Sequence, residues 1–309
     1  MKITRRQFLS HALSAGLLAS LSPVGLLRLE GWAQGVGPAV VWLGAAGCSG
    51  CFVSLANYHE ASSDQDLPEL LSTFDLRYAP LLMSASGEPA FTTLLDLTRV
   101  ESRQILLVVE GAVPSRRGYG SVGSLQDQEY EFRDVLVALT RKAVGVVGMG
   151  SCAAYGGVAG TRGNEPRFAP IEHYLPPTTP LVLVPGCPPH PDWIVDVLLR
   201  LIAGETIPRD RFKRPVNLFG RTVCSQCPRL ASKLAGRFAR YEEEAGACLK
   251  SLGCRGEDTF CDAPTRGWNG SGAWCVSVNS ICIGCTEPFF PDTPFVRIEP
   301  PVLLPSGEP

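Results

Sequence analysis

Short apolar runs recur between residues 39 and 184, and stretches with helical spacing of apolar positions separate them. The runs Ala39–Leu43, Leu76–Ala79, Ile105–Val109, Val144–Val147 and Leu181–Val184 are aliphatic and rich in β-branched residues, which predicts a strand over each. Periodicity near 3.6 predicts helices over Phe52–Glu60, Pro89–Thr98, Asp127–Arg141 and Pro191–Ala203. A strand that is apolar on both faces must be covered on both faces. Strands alternating with helices therefore predict an α/β fold, a doubly wound parallel sheet whose strand count and spacing suit a flavodoxin-like arrangement.

Beyond Gly204 the pattern changes. Ile207–Pro215 reads as a charged linker, and only Arg229–Glu244 has the look of a sustained helix. Glycine, proline and cysteine dominate the remainder, with too little periodic apolar sequence for an ordinary core. Eight cysteines between Cys224 and Cys285 must hold what hydrophobic burial cannot. The expected organisation is a sheet domain over 35–205 followed by a smaller, largely irregular domain over 206–309.

Composition sharpens this picture at two points. With 309 residues, 45% of them hydrophobic, the chain can bury one large domain and a smaller one. The formal net charge of -2 and the lack of a basic stripe give no reason to expect nucleic acid. Residues 1–34 stand apart: Thr4-Arg5-Arg6-Gln7-Phe8-Leu9, an apolar region from Ala12 to Leu29 and a small-residue site near Trp32-Ala33-Gln34 look like a twin-arginine signal peptide. An uncleaved anchor is the alternative, but Ser20, Ser22, Pro23 and Arg28 interrupt the run. No other stretch approaches the length of a membrane span, so no membrane anchor is expected in the mature, mildly acidic chain. An exported chain with twelve cysteines ordinarily suggests disulfides. Export in the folded state, with cofactors loaded in the cytoplasm, favours metal instead.

The cysteines then become informative by position. Cys48 and Cys51 follow the first strand, Cys152 the fourth and Cys187 the fifth, so four thiols converge on the carboxyl edge where such sheets hold ligands. Thiolates are soft and anionic, suited to encasing an iron-sulfur cluster. Three pairs are spaced by two residues: Cys48/Cys51, Cys224/Cys227 and Cys282/Cys285. One such pair also fits a redox disulfide or half a zinc site. The full complement of twelve divides into three sets of four. Glu110 closes the third strand on the same edge, either as a carboxylate that takes a proton or hydrogen-bonds a cysteine loop, or as a helix cap or turn residue. His11, His59, His173 and His190 are isolated and read as structural or surface residues.

Five segments, Cys48-Ser49-Gly50-Cys51, Gly150-Ser151-Cys152-Ala153-Ala154-Tyr155-Gly156-Gly157, Pro185-Gly186-Cys187-Pro188-Pro189-His190-Pro191, Cys248 to Gly256 and Cys282-Ile283-Gly284-Cys285-Thr286-Glu287-Pro288, resemble the small subunit of nickel-iron hydrogenases in sequence and in order. The resemblance implies an electron-transfer subunit that works with a large subunit in which the nickel-iron site oxidises or produces hydrogen. It implies that Cys48, Cys51, Cys152 and Cys187 hold a proximal cluster. Cys224, Cys227, Cys248 and Cys254 would hold a distal cluster, and Cys261, Cys275, Cys282 and Cys285 a medial one. No catalytic residue is expected on this chain. The electron acceptor would be a cytochrome or a quinone-linked membrane protein, and the location the periplasm or the outer face of the cytoplasmic membrane.

Departures from the family pattern alter the expected cofactors. Cys224 stands where the family commonly has a histidine ligand, and Cys275 stands where many members have a proline and a three-iron medial cluster. Both changes add a thiolate, so all three clusters are expected to be [4Fe-4S], with a medial [3Fe-4S] as the alternative, and the two altered sites to have lower potentials. Gly50 and Gly156-Gly157 lie where oxygen-tolerant members carry extra proximal cysteines. Trp268 and Trp274, amid the medial ligands, are expected to keep water from that cluster. Two other readings compete: a secreted binding protein with six disulfides, and a cluster-bearing subunit of a quinone reductase, which would resemble residues 37–204 but lack the cysteine-rich segment.

Overall fold

In the computed structural model, which describes residues 38–60, 65–66, 75–99, 104–161, 165–241, 244–268 and 271–290, five parallel strands form one sheet. They are β1 (Ala39–Gly44), β2 (Leu76–Tyr78), β3 (Ile105–Glu110), β4 (Ala143–Met149) and β5 (Leu181–Val184), in the order β2–β1–β3–β4–β5. That 2-1-3-4-5 order is the flavodoxin-like one. The proposed signal peptide, His11 and everything after residue 290 lie outside the described residues.

Each strand sends alternate residues to opposite faces. Val40, Trp42, Leu106, Val108, Val147, Met149, Val182 and Val184 enter one core, and Ala39, Val41, Leu43, Ile105, Leu107, Val109, Leu181 and Leu183 enter the other. Helices α1 (Gly50–Ala56) and α5 (Pro191–Ile202) cover the first face; α2 (Gly87–Arg99), α3 (Phe132–Thr140) and α4 (Gly150–Tyr155) pack on the second. Helix α5 begins as its sequence suggests. Pro191 occupies the first turn, and the His190 side chain at the N-cap accepts a hydrogen bond from the Asp192 N–H.

Three predicted helices are shorter than their periodicity suggests. The Phe52–Glu60 helix stops at Ala56, and His59–Glu60 pairs instead with Gln65–Asp66. Of Asp127–Arg141, the first five residues belong to a hairpin, Ser121–Leu125 against Gln128–Glu131, because Gln126 and Asp127 both take positive φ at its two-residue turn. Phe91 holds that hairpin down, lying 5.0 Å from Tyr130 and directly over Gly123, where a Cβ would come within 2.5 Å of its ring. Of Arg229–Glu244, only Leu230–Leu234 is helical. Gly236, at φ 70°, reverses the chain; the Ala239 N–H then donates to the Cys248 carbonyl and the Cys248 N–H to the Arg237 carbonyl, on either side of Phe238.

The stretch expected to be a charged linker is in fact an anchor. Arg214 is 2% exposed; its Nε donates to Asp210 at 2.8 Å and its Nη1 to Glu287 at 2.7 Å and the Thr286 carbonyl at 2.9 Å. The cysteine-rich segment has few regular elements, yet Phe219, Val223, Trp274, Val276, Cys261 and Cys282 continue the core beneath α1 and α5. Among the described residues no helix is long and apolar enough to cross a membrane.

Candidate metal centres

Strand register builds the first site. Gly44 pairs with Glu110, Glu110 with Met149 and Met149 with Val184, so four strands end level. The loops that follow carry Cys48 and Cys51, Glu110, Cys152 and Cys187 to one edge, beside the point between β1 and β3 where the order of connections reverses. Burial raises the pKa of Cys51 and Cys187, and that of Cys152 to about 11; Cys51 is raised further by Glu110, Cys152 and Cys187, Cys152 by Cys187 and Cys48, and Cys187 by Cys48. All four are therefore near neighbours.

Glu110 is 5% exposed, and its carboxylate accepts hydrogen bonds from the Cys51 N–H at 2.9 Å and Trp42 Nε1 at 3.0 Å. It thus fastens the Cys48–Cys51 loop and caps the first turn of α1 at once. Backbone clearance around the sulfurs requires glycine. A Cβ on Gly150 would lie 2.4 Å from the Cys51 Sγ, and one on Gly157 2.4 Å from the Cys152 Sγ, both at positive φ.

The second set, Cys261, Cys275, Cys282 and Cys285, lies deeper. Burial drives Cys261 and Cys285 well up and Cys282 to about 12, and the electrostatic couplings run Cys261 to Cys285 and Cys282, and Cys285 to Cys282 and Cys275. Against its burial, Cys285 is drawn down by a hydrogen bond from the Cys187 backbone, so this set abuts the first. Ser151 makes a second link: its Oγ accepts from the Gly186 N–H at 3.0 Å and donates to the Cys285 carbonyl.

The third set lines a single pocket, with Cys224, Cys227, Cys248 and Cys254 in its wall. Cys254 is coupled to Cys248 and Cys224 within its own set, and to Cys282 and Cys275 in the second. The three sets therefore form a row: first, second, third. Lys233 Nζ donates to the Cys224 Sγ at 3.3 Å and also meets Glu257. Arg229 braces the same region through the carbonyls of Ala247 and Val276.

The donor chemistry fits iron-sulfur clusters. All twelve thiols are free, none bonded to another, which runs against six disulfides. Neighbouring thiols, most of them buried or half-buried and only Cys48 and Cys187 exposed, cannot all ionise without a cationic group among them. Among the described residues no three His, Cys, Asp or Glu side chains close on a single ion, and four soft thiolates to a set are the donors an iron-sulfur cluster takes.

The remaining expectations are placed as follows. His190 is buried at 2%, with Nε2 on the Gly267 carbonyl at 2.8 Å and Nδ1 on the Asp192 N–H at 3.1 Å, a neutral structural imidazole. His173 is exposed beside Tyr174. Trp274 is buried in the same core as Cys261 and Cys282, whereas Trp268 stacks near His190 at 4.7 Å and is half-buried. Sequence reasoning missed Ser151, Lys233 and the Arg214–Glu287 pair. A serine beside a ligand and a lone lysine carry no pattern, and Arg214 was hidden in a run of charges.

Comparison with known proteins gives two family matches. Residues 48–201 match the family described as NADH ubiquinone oxidoreductase, 20 Kd subunit, and residues 219–296 match the family of the C-terminal part of the NiFe/NiFeSe hydrogenase small subunit. The periplasmic [NiFeSe] hydrogenase small subunit of Desulfomicrobium baculatum is 33% identical over 97% of this chain and 100% of its own length. The periplasmic [NiFe] hydrogenase small subunit 1 of Nitratidesulfovibrio vulgaris is 31% identical over 94% of this chain and 91% of its own length. Among solved structures, a recombinant [NiFeSe] hydrogenase from Desulfovibrio vulgaris Hildenborough superposes with TM-score 0.76 at 34% identity, covering 84% of this chain and 98% of that one. An actinobacterial-type NiFe-hydrogenase from Ralstonia eutropha H16 gives TM-score 0.77 at 32% identity, with 86% and 83% covered.

Proposed function

Since the chain belongs to the nickel-iron hydrogenase small subunits, we propose that it is the electron-transfer subunit of an exported hydrogenase, conducting electrons between the nickel-iron site of a large subunit and an external acceptor. Cys48, Cys51, Cys152 and Cys187 hold the proximal cluster, Cys261, Cys275, Cys282 and Cys285 the medial one, and Cys224, Cys227, Cys248 and Cys254 the distal one. When bound, the clusters supply one-electron storage at successive points along the row. Residues 35–205 act as the sheet domain and 206–309 as the second domain, after removal of residues 1–34 by the twin-arginine route. A periplasmic location accords with the names of the relatives.

The observation that carries this reading is the row itself, twelve free thiols in three sets that touch at Cys187–Cys285 and Cys254–Cys282. The chain's own part is to bind, space and dry these groups. Glu110 and Ser151 fix the loops, and the core around Trp274 excludes water from the middle set. The quinone-reductase reading accounts for the match over 48–201 but not for the one over 219–296.

Anaerobic purification of the assembled complex tests the proposal. About twelve irons per small subunit are expected, four for each [4Fe-4S] cluster, together with a co-purifying large subunit and hydrogen-dependent dye reduction. Electron paramagnetic resonance of the oxidised complex should lack a three-iron signal. Colourless, iron-free protein with disulfide-bonded cysteines would overturn the assignment.

A further inference from the structure

The two ends of the row carry opposite charges. At the first set the neighbouring ionisable side chain is Glu110, whose carboxylate holds the Cys51 N–H. At the third, where Arg229, Lys250 and Glu257 also line the pocket, Lys233 is the side chain on a sulfur: its ammonium donates to Cys224 at 3.3 Å. Lys233 is held there by Glu257, which itself pairs with Lys250 at 3.0 Å, and both lysines line the cavity that the four thiols share. The Lys233 side chain is only 20% exposed, so solvent screens its charge incompletely.

We infer that Lys233 is a positioning residue that raises the reduction potential of the distal cluster through its contact with Cys224, so that electrons run downhill from the Glu110 end of the row to the surface. The inference rests on the cluster assignment above. Each one-electron reduction adds a negative charge to a cluster and its four thiolates. An ammonium at hydrogen-bonding distance from one sulfur favours the reduced form over the oxidised one, since hydrogen bonds to the sulfurs and net charge both set such potentials. Cys224 adds a thiolate's negative charge to this set, and Lys233 returns a positive charge to the same atom. The carboxylate at the opposite end acts in the other direction. The resulting slope favours hydrogen oxidation over evolution.

Redox titration of the assembled complex, followed by electron paramagnetic resonance, tests the inference cluster by cluster. In Lys233→Met the ratio of reduced to oxidised distal cluster at a fixed potential should fall at least tenfold, equal to about 59 mV for one electron, with the other two clusters unmoved. Lys233→Arg, which keeps charge and donor, should recover most of that shift. Glu257→Gln, which leaves the ammonium uncompensated, should move the distal potential the opposite way. An unmoved distal potential in Lys233→Met overturns the inference, as does an equal shift of all three clusters or a Glu257→Gln shift in the same direction as Lys233→Met. Iron content separates the two levels: full iron with an unmoved distal signal removes only the role of Lys233, while absence of a third cluster in the unaltered complex removes the underlying assignment.

Discussion

Replacing Arg214 with methionine isolates a buried charge whose cost is calculable. The guanidinium is 2% exposed and Glu287 is 3% exposed, with Nη1 and Oε1 2.7 Å apart. At an effective dielectric constant of 20 the attraction at that distance is about 6 kcal/mol, most of it offset by desolvating both partners. Deleting one partner leaves the other charge buried, which costs about 3–5 kcal/mol. Glu287 would keep the Phe260 N–H at 2.7 Å, so the lower half of that range applies. Arg214→Met also strands the Thr286 carbonyl. The double variant Arg214→Met/Glu287→Gln removes this pair of charges and still offers Phe260 an acceptor, and Asp210, which loses the Arg214 Nε, keeps the backbone N–H groups of Phe212 and residue 214, so the variant should regain all but about 1–3 kcal/mol, chiefly the cost of the unpaired carbonyl. Thermal unfolding of the assembled complex at one fixed scan rate reads the series. At roughly 2–4 °C per kcal/mol, the single variant should melt on the order of 10 °C below the parent, and the double variant should lie between them. A single variant melting with the parent, or a double variant melting below the single, would refute the argument that the uncompensated carboxylate dominates.

Three further outcomes follow from other parts of the molecule. Gly150→Ala drives a Cβ to 2.4 Å from the Cys51 sulfur at φ 81°, so iron analysis should find about eight irons per chain instead of about twelve; Gly87→Ala, at φ 61° with nothing within 4 Å, should keep full iron and lose only on the order of 1–2 kcal/mol in the same melt. Burial lowers the pKa of His190, so its folded value lies below its unfolded one. Stability from this group is complete above the unfolded pKa near 6.5 and is lost as pH falls below it, a slope that His190→Asn, which retains a capping acceptor, should flatten in melts between pH 5 and 7. Cys275→Pro should create a three-iron resonance integrating to about one per chain and raise the medial potential, while an unchanged spectrum would remove Cys275 from the medial set.

Much of the sheet was legible because its strands are buried on both faces. Ile105–Val109 and Leu181–Val184 have no polar residue to confuse the period, and each appears in the structure with its predicted start. The four thiols of the first set were legible for the same reason, since a strand end fixes where the next loop begins. What failed was helix length. Gln126-Asp127 turns a chain through two positive φ values without the usual Asn-Gly, and what holds it is Phe91, more than thirty residues away. Gly236 stops the helix that the Arg229–Glu244 pattern would otherwise continue, and the chain on either side of it is tied together by Ser232, which donates to the Gly246 carbonyl and accepts from Arg237 Nη2. Arg214 was misread because charge in a sequence signals exposure, and the distant Glu287, together with Asp210 four residues before it, makes its burial tolerable.

The cysteine-rich segment's scarcity of regular structure does not make it independent of the sheet. Its core residues Phe219, Trp274 and Val276 join the layer formed by α1 and α5, and Trp193 on α5 meets Phe219 edge-on at 5.1 Å and donates to Asp262 at 2.7 Å. Ser151, 1% exposed, ties the loop before Cys187 to the carbonyl of Cys285, so a single hydroxyl spans two sets of thiols. On the proposed reading, the chain must hold the separation between its clusters constant, and looseness at this junction would let it vary. The Arg214–Glu287 pair and Ser151 both tie earlier parts of the chain to residues 285–287, and the cysteine-rich segment shares one apolar core with α1 and α5. Rigid spacing of the sulfurs thus follows from burial at the junction, and weakening the junction should disturb the medial site before either of its neighbours.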